Sequence, residues 1–219
     1  MRTLDPQRWT NLWNRASGRR DGSDGSDGSD GSAWFEILNR HYAEDHRYYH
    51  TARHISECLV EFDGVSHLAA QPVAVELALW FHDAIYDTHA GDNEEQSARL
   101  AQRCLESAGA GTDLQAAVTD LVLVTRAHEG STHPDAPLLV DIDLSVLGAG
   151  TERFFEYEEQ IRQEYAWVPE EIFRTKRAEI LERFLARDVI YRTPKFYQTH
   201  EKQARANLRA SLERLRVQG

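Results

Sequence analysis

His82 and Asp83 sit side by side in LALWFHDAIYD, a stretch that is apolar on nearly every face. Burying an unpaired carboxylate costs several kcal/mol, and Leu, Trp and Phe neighbours offer it no compensation. A partner arginine, a buried polar network or a metal ion must therefore accompany Asp83. Upstream, His50 and His54 are four residues apart, a spacing that puts two imidazoles on one helical face. Downstream, Asp143 follows the apolar stretch LLVDI, which carries it close to the core. Two imidazoles and two carboxylates form a hard-to-borderline ligand set suited to Mn²⁺, Fe²⁺, Mg²⁺ or Zn²⁺, with no thiolate in it. His128, one turn after Val124 and two after Leu121, points with an apolar face and is a further candidate.

The elements that must position these residues are helical almost throughout. Asp5 caps a short helix with Pro6 at its first position and Trp9, Leu12 and Trp13 on its buried side. A second helix is expected from near Ala33, and a third over residues 50–62, where Ile55, Leu59 and Phe62 recur at helical spacing. Residues 72–86 read as a central buried helix carrying the His82–Asp83 pair, with Asp87 one turn beyond Asp83. Further helices are expected over residues 93–108, ending at Gly109, and 113–128, capped by Asp113. A loop with Pro134 and Pro137 leads into LLVDIDLSVLG, and helices over residues 151–165, 169–186 and 199–217 complete the set. No strand–helix alternation and no glycine-rich phosphate loop is present, which excludes the nucleotide-binding α/β folds. The expectation is an all-α fold in a single domain over residues 1–219. Residues 21–32, four perfect copies of Asp-Gly-Ser, form a flexible loop between the first two helices.

At 219 residues the chain is long enough to bury a sizeable core. No apolar run approaches the roughly 20 residues that span a bilayer, and MRTLDPQRWTNLW lacks the apolar centre of a signal peptide. Cys58 and Cys104 both fall on apolar helical faces and read as small buried residues of a reducing, cytoplasmic compartment. The net charge of −11, with the basic residues scattered, disfavours a long nucleic acid or an anionic membrane as partner but leaves a mononucleotide open.

Taken in order, RYYHTARHI (47–55), FHDAIYD (81–87), NEEQSA (93–98), TRAH (125–128), DIDLSVLG (141–148) and IRQEY (161–165) resemble the HD superfamily of metal-dependent phosphohydrolases. The set looks like a bacterial branch of it described as predicted HD phosphohydrolases. The resemblance implies that His54, His82, Asp83 and Asp143 hold one or two divalent ions. The first histidine is chosen by likeness to the cyclic-nucleotide phosphodiesterases, in which the second His of such a pair binds metal and the first donates a proton. His54 is thus the ligand and His50 the general acid. Asp143 is preferred to Asp141 because the superfamily's Asp typically precedes an apolar residue here.

The activity so implied is hydrolysis of a small phosphate ester, with a nucleotide the foremost class, by water activated on the ion. Asp87 would orient a bound water or a ligand histidine, with Glu94 or Glu95 in a similar role. His128 would serve as a second-metal ligand, a substrate contact or a core histidine. Substrate phosphate needs cations: Arg47 and Arg53 flank the ligand histidines, and the resemblance places Arg162, Lys176 and Arg177 in helices near the cleft. Two other functions fit the same scaffold. A di-iron oxygenase would draw extra ligands from His89, His128 and His133, and would be known by two irons and oxygen consumption. A non-catalytic nucleotide-binding module would bind without turnover.

Overall fold

The computed structural model describes residues 4–18, 29–126 and 131–217. Among these the fold is all-α, with ten α-helices, two short 3-10 turns and no strand. Two compact units share the chain, residues 1–140 and 141–219. The first contains α1 (Pro6–Ala16), α2 (Ser29–His41), α3 (Ala52–Val65), α4 (Pro72–Phe81), α5 (Asn93–Ser107) and α6 (Thr112–Val124). The division falls inside α7 (Ala136–Asp143). The second unit holds α8 (Thr151–Glu164), α9 (Glu170–Ala186) and α10 (Pro194–Val217).

In the first unit α4 is the axis, packed by α1, α3, α5 and α6. Ala74, Val75, Leu77, Ala78, Leu79, Trp80 and Phe81 are all buried, as expected of a helix apolar on every face. Each large side chain among them contributes about 1.5–3 kcal/mol by leaving water. The one acid in that run, Glu76, is buried too, and two arginines of α1 neutralise it: Arg8 at 2.7 Å and Arg15 at 3.0 Å. In the second unit α10 lies along the 3-10 turn Leu144–Gly148 and against α9 and α8.

Several helix ends are capped by side chains remote in sequence. The Asp135 carboxylate accepts from the backbone N–H groups of Ala70 and Gln71, both at 2.7 Å, at the start of α4. Asp141 accepts from Arg192 and Thr193 N–H (3.0 and 2.7 Å) and from the Thr193 hydroxyl (2.6 Å), just ahead of α10. Arg205 donates to the carbonyls of Leu185, Arg187 and Asp188 beyond the end of α9. These charges meet orphan backbone groups and complement the helix dipole at each end.

Such remote caps shift several boundaries from their expected places. α3 starts only at Ala52, because Thr51 accepts from Arg53 N–H as its N-cap; His50 therefore precedes the helix instead of sharing a face of it. α4 stops at Phe81, five residues early. The Ala84 N–H turns back to Phe81 O (2.9 Å), and the Ile85 N–H is taken by Ser97 Oγ (3.0 Å), so the helical ladder cannot continue. α6 is capped at Gly111, with Asp113 in its first turn, and α10 begins at Pro194. α2 begins at Ser29 and takes in the last Asp-Gly-Ser copy; the remainder of that repeat lies outside the described residues. There the Trp9 indole donates to Gly31 O (2.6 Å), and a Cβ on Gly31 would lie 3.0 Å from the Trp13 ring. Cys58 and Cys104 are free and buried. Among the described residues no helix is long and apolar enough to cross a membrane.

Candidate metal centre

His54 stands in the first turn of α3, pointing inward and 2% exposed. His82 is the C-cap of α4, 1% exposed, and Asp83 follows in the turn beyond it. Here His82 Nε2 and Asp83 Oδ2 are 3.1 Å apart, and both face His54 Nε2, at 3.2 and 3.4 Å respectively.

Protonation follows from the partners. His82 Nδ1 lies 3.1 Å from Leu79 O, which can only accept, so Nδ1 donates there and Nε2 is the ring nitrogen turned to the cluster. Burial raises the Asp83 carboxyl, but the charges of His82 and His50 and the hydrogen bonds from His54 and His82 overcome it. The carboxyl is left well below its usual range and is ionised. Burial and the Asp83 charge, partly offset by Arg47 and His54, raise nearby Tyr42 well above the phenol range; it stays protonated and donates to Trp80 O (2.8 Å).

Asp143 is the last residue of α7, one turn past Val140 along a helix that starts in the first unit. His54, His82, Asp83 and Asp143 each offer one ligand atom, and all four atoms lie within 4.8 Å of one another. Metal–nitrogen and metal–oxygen bonds of about 2.0–2.1 Å put adjacent ligand atoms roughly 3.0 Å apart in an octahedron and 3.4 Å in a tetrahedron. The three separations above have that size, and the donors are the nitrogens and carboxylate oxygens that a borderline or hard divalent ion takes. The residues fit a metal ion. Asp141 is otherwise engaged: fully buried, with both carboxylate oxygens on Arg192 and Thr193. Asp143 is the acid of the DID triplet that stands in the cluster.

His50 adjoins the cluster from the segment before α3. Its ring stacks on Tyr86 at 4.1 Å between centroids, and its centroid is 6.0 Å from that of His54. Asp87 is placed otherwise than expected. It is exposed in the loop beyond the helix, where its Oδ1 accepts from His89 N–H (2.8 Å) and its backbone pairs with the Asn93 side chain. His128 lies outside the described residues. Glu95 bonds Arg126.

The expected substrate cations are occupied in different ways. Arg47 is 5% exposed and enclosed by carbonyl oxygens, so it does not present a free guanidinium. Arg53, in the first turn of α3, pairs with Glu57 at 3.0 Å and is partly exposed. In the second unit Arg162 caps the end of α8, donating to Tyr165 O and Val168 O, and pairs with Glu170. Lys176 is exposed and pairs with Glu179. Arg177 is buried against Glu158 and the Tyr157 hydroxyl (2.8 Å).

The sequence reading takes Cys58 only as a small buried residue and gives Ser97 no separate role. Cys58 Sγ lies 3.7 and 3.8 Å from the two ring nitrogens of His54, so it packs on the ring instead of pointing along one lone pair. Its position four residues after His54 was the available signal. Ser97, which ends the α4 ladder, gave none. No family model, no curated protein and no solved structure matches the chain.

Proposed function

We propose that this protein is a metal-dependent phosphohydrolase acting on small phosphate esters, with nucleotides the first class to test. The observation that carries the reading is the grouping of His54, His82, Asp83 and Asp143 within 4.8 Å, the first three at ligand-sized separations and with an ionised carboxylate. The ordered motifs of the sequence support it. These four residues would hold the ion, which when bound supplies a Lewis acid and a water of lowered pKa.

The remaining tasks fall to the chain. His50, oriented by its stack on Tyr86, donates a proton to the departing ester oxygen. Arg53, one residue before a metal ligand and partly open, meets the substrate phosphate. Leu79 O holds the His82 ring by Nδ1, in the orientation that turns Nε2 inward.

Elemental analysis of purified wild type beside Asp83→Ala tests the site, followed by a phosphoester panel with the ion so found. About one or two equivalents of Mn, Fe, Mg or Zn in the wild type only, with phosphate released from at least one ester, is the expected result. A metal-loaded protein inert on the whole panel defeats the hydrolase reading. Two proteins equally empty after metal is supplied defeat the metal centre itself.

A further inference from the structure

We propose that Arg47 is the positioning residue of this centre, fixing the Asp83 turn and the His50 segment against each other. This rests on the reading of the cluster as a metal site. The guanidinium Nη1 donates to His50 O (3.1 Å) and Asp83 O (2.6 Å), Nη2 to Ala84 O (2.9 Å), and Nε to Glu44 Oε2 (2.9 Å). Its side chain has no exposed surface, and it lies over the rings of Tyr42 (5.4 Å) and Tyr86 (5.6 Å).

Three features make this more than a buried ion pair. First, α4 ends at Phe81, so the carbonyls of the turn beyond it, Asp83 O and Ala84 O, are met by Arg47, and a cation there complements the dipole. Second, the oxygens it binds belong to the ligand Asp83, to the residue after it, and to the proposed acid His50. One rigid fork therefore sets the spacing between ligand and acid. Third, Tyr86, whose ring Arg47 underlies, is also the ring stacked on His50, and the Tyr86 carbonyl is held by His46 Nε2 at 2.8 Å. The acid is braced on its backbone and on its ring from the same place. Only a planar guanidinium reaches this set of acceptors; an ammonium offers its donors from a single point.

The test uses Arg47→Lys, which keeps the charge and loses the fork, with Arg40→Lys at an exposed position of α2 for comparison. Co²⁺ is the probe, read by its affinity and its ligand-field absorption, and circular dichroism establishes folding. The expected result is a folded Arg47→Lys that binds Co²⁺ about 10–100-fold more weakly, with a shifted absorption band. Arg40→Lys should bind as wild type, and millimolar methylguanidinium should restore binding to Arg47→Ala. A folded Arg47→Lys with wild-type affinity and spectrum overturns the proposal and leaves the metal site standing. A wild type that binds no Co²⁺ overturns the metal reading and this proposal with it. Should Arg47→Lys not fold, Glu44→Ala releases the outer anchor of the guanidinium from a half-exposed position. Unchanged Co²⁺ affinity and spectrum in that variant also overturn the proposal.

Discussion

His54 Nε2 and His82 Nε2 face each other at 3.2 Å inside the first unit, with Asp83 Oδ2 within 3.4 Å of both. Two imidazole nitrogens and a carboxylate oxygen at these separations are a donor set that a divalent cation takes. A bound ion should therefore stabilise the fold strongly. With free ion at 100 times its Kd, linkage gives about 2.7 kcal/mol, or roughly 5–10 °C in Tm for a chain of this length. Differential scanning of chelated protein against protein with Mn²⁺, Fe²⁺, Zn²⁺ or Mg²⁺ measures it. No shift with any of the four would sink the metal centre.

Asp141 and Asp143 separate structure from ligation two residues apart. Asp141 caps the start of α10 through three hydrogen bonds, whereas Asp143 belongs to the ligand group. Asp141→Ala should lower stability by about 2 kcal/mol and keep cation binding. Asp143→Asn should retain stability and lose most of the cation affinity. Chemical denaturation and cation titration on both proteins check this. The reverse pattern would move the ligand assignment to Asp141.

Most of the helices were legible because their apolar spacing is local. The four residues of the cluster were legible because their chemistry sits oddly in its surroundings: a carboxylate among Leu, Trp and Phe has few explanations. What escaped was the work of remote side chains. Nothing near Phe81 says that its helix must stop there. The stop comes from Ser97, a helix away, and Arg47 holds the carbonyls that follow. Because that stop was invisible, Asp87 was placed one turn beyond Asp83 when it lies in an exposed loop. Arg47 and Arg177 read as phosphate contacts because sequence shows a charge but not the carbonyls or carboxylates that already surround it.

Gly148 should tolerate no side chain. A Cβ there would lie 2.6 Å from His200 Cβ and 2.9 Å from the His200 carbonyl oxygen on α10, and backbone cannot swing aside. Gly148→Ala should cost about 1–3 kcal/mol as α10 is pushed off its turn. At roughly 2–4 °C per kcal/mol, Tm should fall by about 2–12 °C. Gly150, two residues on, has open space around it and serves as the comparison. Equal melting of both alanine variants would show that α10 can shift without penalty.

His50 and Asp87 should differ sharply when changed. His50 stacks on Tyr86, adjoins His54, and its charge helps to hold the Asp83 carboxyl down. As general acid it acts on turnover and not on cation binding. His50→Gln should cut kcat by about 100–10,000-fold with cation affinity retained. Asp87 accepts its own loop's His89 N–H, a contact asparagine makes equally well, so Asp87→Asn should turn over as wild type. Steady-state rates and cation titrations of the three proteins decide both claims. An unchanged kcat in His50→Gln would assign the acid elsewhere, and an inactive Asp87→Asn would put Asp87 into the reaction despite its exposed loop.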